Sequence, residues 1–270
     1  MQVMVTIGIV EVISVGICGS WRWLTISCLF LTVLWIGCIF FIPESPVHYI
    51  TLKRYSDARE SLEWLRGTND VEIEYEEIVR GVEESSRNST AGFRELFKKE
   101  NLLPFMIAMT LMLGQQFSGM NAVMFYANSI FEEANTGLSS SVENIIISIV
   151  QVVATMAGAV FMDKLGRRIL LNMSSVFMGV SLGVLGWYFY IAEYNKDLAA
   201  KIDILPVASL SIFVAFFSIG FGPIPWLMMS ELFSPDIKSM ASSITTSFNW
   251  TLAFVVTKFF TNLVDALKGT

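Results

Sequence analysis

The chain has 270 residues, 54% of them hydrophobic and only 16% charged, against about 25% charged in ordinary soluble proteins. A net charge of -6 with no basic face argues against binding nucleic acid. A lone histidine, His48, and three cysteines confined to the first apolar stretches leave no His/Cys cluster with metal-ligand spacing.

In chain order, seven apolar segments stand out: Met1–Cys18, Leu24–Ile42, Leu102–Phe131, Val142–Met162, Ile169–Ala192, Ile204–Ser230 and Met240–Val264. A helix needs about 20 apolar residues to cross about 30 Å of hydrocarbon. The run from Leu102 to Ile130 carries no charge at all. The fold class expected is therefore all-α, a polytopic membrane protein. The apolar N-terminus has no basic residue before Arg22, so it reads as part of a span and not as a secretory signal. Cys28 and Cys38, ten residues apart on one helix, stand about 15 Å from each other and cannot form a disulfide.

Between the second and third segments lies the long polar stretch Pro43–Glu100, which holds the largest share of the acidic residues. Two amphipathic helices fit in it. Ala58, Leu62 and Leu65 share a face of Tyr55–Arg66, and Ile73, Ile78 and Val82 mark a second face in Ile73–Val82. Gly67-Thr68-Asn69-Asp70 is the turn between them, and Ser85–Gly92 reads as loose. This stretch also holds nine of the basic residues, from Lys53 to Lys99, which places it in the cytoplasm. Alternating the spans keeps Lys164, Arg167, Arg168 and Lys238 inside. Arg22, Lys196, Lys201 and Lys268 are left outside. The chain is thus expected to divide into residues 1–42, a linker 43–100, and a second transmembrane unit 101–270. Two spans before the linker and five after it make a lopsided plan for a protein built from repeats, and suggest a piece of a longer protein.

The polar residues inside the spans carry the chemistry. The third span contains Gln115, Gln116 and Asn121, with Ser118-Gly119 between them. An unsatisfied amide in hydrocarbon costs several kcal/mol, so these side chains face protein or a watery cavity. Gln116 and Asn121 lie five residues apart, on different faces of a straight helix. A break at Ser118-Gly119 would bring them together, and broken helices near the midplane are where transporters bind substrate. Interhelical hydrogen bonding is the plainer alternative. The sixth span holds Gly220-Phe221-Gly222-Pro223-Ile224-Pro225-Trp226. Its two prolines remove two backbone donors and break the helix, while Trp226 offers an apolar face and one N–H donor. An ordinary kink beside an interfacial tryptophan is the alternative there. Gln2, Gln151 and Asn249 complete a set of neutral hydrogen-bonding groups. Such a set suits a neutral polyhydroxylated ligand and not an anion. Glu11 and Lys258 are the charges that stand outside this pattern. The sequons at Asn88, Asn172 and Asn249 fall in the cytoplasm or within spans, so none is expected to be glycosylated.

At the inner ends of the spans, Asp163-Lys164-Leu165-Gly166-Arg167-Arg168 forms a tight turn. Glu231 follows the sixth span and Glu44 sits in Pro43-Glu44-Ser45-Pro46. Carboxylates and guanidiniums at one membrane face can pair and bias an opening between two states, or serve only as positive-inside anchors.

Gln115 to Asn121 with Phe125-Tyr126, Asp163 to Arg168, Gly222 to Trp226 with Ser230-Glu231-Leu232-Phe233, and Pro43-Glu44-Ser45-Pro46 together resemble the motifs of the sugar-porter family of the major facilitator superfamily. The chain resembles in particular the branch of insect trehalose facilitators and related hexose facilitators. The resemblance implies a partial fold, about helices 5 to 11 of 12. It implies sugar contacts at Gln2, Gln115, Gln116, Asn121, Gln151, Trp226 and Asn249. Phe125, Tyr126, Gly222, Pro223 and Pro225 would gate, and Glu44, Asp163, Arg167, Arg168 and Glu231 would form an inner charge network. Two positions depart from the pattern: Val47 stands where the family usually has arginine, and Ser218 where many glucose facilitators have glutamate. The activity implied is facilitative transport of trehalose or a hexose, with no covalent step, no cofactor and no metal. The implied setting is the lipid bilayer, with the plasma membrane as the default. The rival expectation is a sensor or regulatory fragment that binds a full-length porter without transporting.

Overall fold

A computed structural model describes the chain except for residues 1, 19–20, 89–92, 125–139, 196–197, 199–200 and 269–270. The described residues form helices and turns, with no strand among them. Helices α1 (Gln2–Cys18) and α2 (Trp21–Ile39) match the first two apolar segments. The linker carries α3 (Pro46–Thr51), α4 (Tyr55–Arg66), α5 (Glu72–Asn88) and a 3-10 turn at Phe93–Phe97. The remaining helices are α6 (Lys99–Phe117), α7 (Ser140–Leu165), α8 (Arg167–Tyr194), α9 (Leu205–Phe216), α10 (Ile224–Leu232) and α11 (Pro235–Lys268). Among the described residues, five helical stretches are long and apolar enough to cross a membrane: Trp21–Ile39, Lys99–Met124, Val142–Leu165, Arg167–Tyr194 and Leu205–Leu232. Gln2–Gly16 is apolar but shorter. α11 begins at Pro235, five residues before the apolar segment read there, because an established helix extends through polar residues at one bond each.

The linker corrects three expectations. α5 runs on to Asn88, so Ser85 to Asn88 are helical and not loose. Residues 89–92 of that stretch lie outside the described residues. Leu65 and Ile73 are exposed while Ala58, Leu62 and Val71 are buried. Leu65 stands in the last turn of α4, and Ile73 is five residues from Ile78, too far round the helix to share its face. The six residues of α3 escaped the sequence reading because they are too few to show a period.

Two apolar clusters organise the membrane unit. One gathers Met120, Val123, Ile147, Met178, Leu185, Val207, Leu210, Phe213 and Val214, where α7, α8 and α9 meet the chain that follows α6. The other gathers Leu96, Ala108, Met112, Met229, Phe233, Ile237 and Ala241 from the 3-10 turn, α6, α10 and α11. α6 gives Ala108 and Met112 to the second cluster, while Met120 and Val123, just past its end, belong to the first, so Gln115 and Gln116 lie between these positions along the chain. α1 lies along α7, while α2 touches α1 and buries none of its side chains. Contact between α1 and α2 also gives Glu11 a partner that the sequence did not reveal: the Ser27 hydroxyl donates to its Oε1.

Candidate functional site

α6 stops at Phe117. Ser118 makes a turn, with its hydroxyl donating to Gln115 O at 2.7 Å, and Gly119 takes φ +89. That left-handed backbone is open to glycine at little cost. Helix resumes at residues 120–124. The break turns Asn121 back over the last turn of α6, and Asn121 Nδ2 donates to Gln116 Oε1.

From there the amides run head to tail. Gln116 Nε2 donates to Asn249 Oδ1 at 2.9 Å. Asn249 Nδ2 donates to Gln115 Oε1 at 3.0 Å and lies 3.2 Å from Met112 Sδ. Gln115 Nε2 donates to both Phe221 O and Gly222 O at 2.9 Å. Gln115 and Gln116 are 7% exposed and Asn249 is 1% exposed, so the chain of amides lies in the low-dielectric interior, where such bonds strengthen one another. Its direction is fixed by the far end. Backbone carbonyls only accept, so Gln115 must turn its NH₂ toward them, and each amide behind it must follow suit.

One of those carbonyls, Phe221 O, is free because of Pro225. Pro225 has no N–H to return to the carbonyl four residues earlier, which is Phe221 O. The distortion begins before the prolines, as one π turn at Phe217–Phe221 in which Gly222 N donates to Phe217 O at 2.7 Å. Neighbouring helices grip this turn closely. A Cβ on Gly158 of α7 would stand 2.9 Å from Ile219 Cα, and one on Gly220 would stand 2.5 Å from Ser174 Cβ of α8. The Ser174 hydroxyl donates to Phe216 O at 2.8 Å and accepts from Phe221 N at 3.4 Å. Neither Gly158 nor Ser174 was legible in the sequence. Each is a small residue in an apolar helix, and only packing reveals its use.

The other expected site residues are placed as follows. Gln151 is 6% exposed on α7, and its Oε1 has no partner among the described residues. Two residues outside the expected site, Ser218 and Thr245, also have buried hydroxyls without partners among the described residues. Trp226, one residue past Pro225, packs partly buried against the second apolar cluster. Gln2 stands partly buried at the start of α1, on the helix that lies against Gln151's. Phe125 and Tyr126 lie outside the described residues. Of the five residues of the expected charge network, Arg167 and Glu231 form an ion pair at 2.7 Å between α8 and α10. Asp163 and Arg168 are exposed and make no ion pair among the described residues. Glu44 is turned to its own loop: Ser45 N donates to its Oε1 at 3.0 Å, and the Ser61 hydroxyl donates to its carbonyl. No group of three potential metal ligands occurs among the described residues.

The family model described as "Sugar (and other) transporter" matches residues 1–270. A facilitated trehalose transporter of Bombyx mori is 44% identical over 226 residues, 83% of this chain and 45% of that protein. The corresponding transporter of Drosophila yakuba is 41% identical over 97% of this chain and 31% of its own length. Among solved structures, the proton:xylose symporter XylE bound to 6-bromo-6-deoxy-D-glucose superposes with a TM-score of 0.73. It is 22% identical and covers 98% of this chain and 55% of its own. The inward-open form of XylE from E. coli superposes at 0.69. The chain thus spans about half the length, or less, of the relatives it matches. With a family model matched from its first residue to its last and a major-facilitator arrangement of helices, this multi-pass membrane chain belongs to the sugar transporter family.

Proposed function

We propose that this chain is part of a facilitative transporter that moves a neutral sugar, trehalose or a hexose, across the plasma membrane by alternating access. Residues 1–42 would belong to one transmembrane half, 43–100 to the cytoplasmic linker, and 101–270 to the other half. The observation that carries the reading is the chain of uncharged amides buried at the break after α6. Among the described residues, Gln116 keeps one amide N–H unspent, and Asn121 keeps one N–H and its carbonyl. Gln151 Oε1 and the hydroxyls of Ser218 and Thr245 are also without partners. Buried groups of this kind are the ones that sugar hydroxyls can satisfy. An anionic substrate would find no cation among these residues. Trp226 would meet the apolar face of the sugar ring, and Gln2 would meet the substrate from the other half. The similarity to trehalose transporters supports the sugar class, and supports transport over a sensing role. Movement across the membrane needs only binding and release, so no covalent step and no cofactor is proposed.

Uptake of radiolabelled trehalose and glucose in oocytes, with the protein at its full natural length, tests this. Saturable uptake that Gln116→Ala abolishes supports it. No uptake of either sugar sinks it.

A further inference from the structure

The π turn at Phe217–Phe221 is gripped from two sides, and the two grips differ in kind. α7 offers it a glycine. A Cβ on Gly158 would stand 2.9 Å from Ile219 Cα and 3.3 Å from Ser218 O, so the two backbones touch with no side chain between them. α8 offers Ser174, which is 1% exposed. Its hydroxyl has one proton to give. Phe216 O, at 2.8 Å, is the nearer and stronger acceptor, and Met178 Sδ, at 3.3 Å, accepts only weakly. The same hydroxyl accepts from Phe221 N at 3.4 Å. A π turn pairs an N–H with the carbonyl five residues before it, as Gly222 N does with Phe217 O. Phe221 N and Phe216 O stand in that same relation. In a regular α-helix they would belong to different rungs, Phe216 O with Gly220 N and Phe221 N with Phe217 O. Ser174 therefore spans two atoms that share a rung in the π register and not in the α register.

We propose that Ser174 is a positioning residue that selects the π register of the break and thereby sets the pose of Trp226 toward the sugar. The inference rests on the transport reading. One residue of register is about 100° of helical rotation. A turn that reverted to the α form would send the chain into Pro223 and Pro225 in another direction, and Trp226 with it. Two further contacts place this control in α8. The Phe177 ring, one turn beyond Ser174, stacks on Phe216 with 4.1 Å between centroids and 10° between planes. It thus holds the residue whose carbonyl Ser174 bonds. Gly220 leaves room for the approach, since a Cβ there would stand 2.5 Å from Ser174 Cβ. α8 fastens the start of the turn by a ring and its rung by a hydroxyl, and the amide chain ends on the carbonyls that follow, Phe221 O and Gly222 O.

The test uses the protein at full natural length and reads the break directly. Ser174→Ala keeps the Cβ that Gly220 accommodates and removes the hydroxyl. Ser181→Ala is the control, because it removes another buried hydroxyl of α8, one that donates to Phe177 O of its own helix. Three quantities are followed: the fluorine NMR resonance of 5-fluorotryptophan at Trp226, assigned by its loss in Trp226→Phe, hydrogen exchange of the Phe217–Phe221 segment, and equilibrium binding of trehalose and glucose. Ser174→Ala is expected to shift the Trp226 resonance without sugar, to speed exchange across the turn, and to weaken sugar binding by about 3- to 10-fold, as the loss of one hydrogen bond predicts. Ser174→Cys, which keeps a weak donor of similar shape, should fall between Ser174→Ala and the unmodified protein. If Ser174→Ala moves the resonance and the affinity no more than Ser181→Ala does, the hydroxyl only fills space and the proposal is wrong. If affinity falls with the Trp226 resonance in place, Ser174 acts by another route and the proposal is equally wrong. Should Ser174→Ala not fold, Ser174→Cys must still show the resonance shift in smaller form. If the unmodified protein binds neither sugar, the transport reading falls, and the Trp226 shift in Ser174→Ala still decides whether Ser174 sets the register.

Discussion

The membrane unit and the linker both use polar side chains to fix helices, and they do so with opposite physics. At the break after α6, uncharged amides bond to one another and to backbone in a buried site. In the linker, guanidiniums and carboxylates meet in water. Arg59 bridges Glu63 and Glu72, and Arg66 grips Glu74, all with side chains that are about a third to a half exposed. A buried amide that loses its partner has no water to turn to, whereas an exposed ion loses one partner and gains water. Environment, and not the number of contacts, should therefore rank the consequences of mutation.

The largest effect is expected at Asn249, the midpoint of the amide chain. Asn249→Ala strands Gln116 Nε2 and Gln115 Oε1 together, and each buried orphan costs about 1–3 kcal/mol. We expect the detergent-purified protein to lose about 2–4 kcal/mol of stability, seen as earlier thermal unfolding by tryptophan fluorescence. A loss no greater than that from cutting an ion pair in the linker would break the comparison.

Gly220→Ala comes next. Its Cβ would stand 2.5 Å from Ser174 Cβ and 2.9 Å from the Leu170 carbonyl. One of these contacts is with the backbone of α8, which cannot swing aside. Overpacking of this kind costs about 1–3 kcal/mol. Ser174→Gly in the same chain removes the first contact and leaves the second, so it should restore only part of the loss in the same melt. Full restoration would mean that the helix gives way at Leu170.

Between the two regions stands the Arg167–Glu231 pair, with side chains 36% and 40% exposed. Its coupling energy in a double-mutant cycle of Arg167→Gln and Glu231→Gln should come to about 0.2–1 kcal/mol. Arg167 Nε is buried without a partner among the described residues, so Arg167→Gln should cost less than the loss of a fully bonded arginine. A coupling above about 2 kcal/mol would place this pair with the buried amides.

The same contrast explains what could be read before the fold was known. Charge-free runs of apolar residues mark their own helices, and the polar residues inside them mark the site, since an amide in hydrocarbon requires a reason. The break at Ser118-Gly119 was legible because Gln116 and Asn121 could not otherwise meet. What the sequence withheld was set by contacts distant along the chain. The direction of the amide chain depends on carbonyls 106 and 107 residues beyond Gln115. The π turn at Phe217–Phe221 precedes the prolines that announce the break, and it is held by Gly158 and Ser174, which have no local signature. Glu11 looked like an unpaired acid because Ser27 lies on another helix. The charge motif was visible at all five positions, yet the geometry joins only Arg167 to Glu231.

The smallest effect belongs to Arg66 and Glu74, which join α4 to α5. The hydrogen bond from Arg66 holds the Glu74 carboxyl below the ordinary glutamate range, against an opposing push from desolvation that outweighs the smaller pull of the Arg66 charge. The folded-state pKa is depressed, so the pair's contribution is fully present above the unfolded glutamate value and is lost as pH falls through the lower folded value. Neutral and mildly acidic solutions leave it intact, and only solution more acidic than the ordinary glutamate range removes it. Both groups are in water, so salt should weaken the pair as well. Hydrogen exchange of the α4 and α5 amides, followed by mass spectrometry and corrected for the intrinsic pH dependence, should show faster opening of these helices below the ordinary carboxylate range. The amides around Gln116 should keep their protection over the same range, because no group in that chain titrates. Glu74→Gln should remove the pH dependence from α4 and α5 while leaving their exchange at neutral pH little changed. If α4 and α5 instead open at neutral pH in Glu74→Gln, one exposed pair is holding the linker together, and the ranking by environment fails at its weak end.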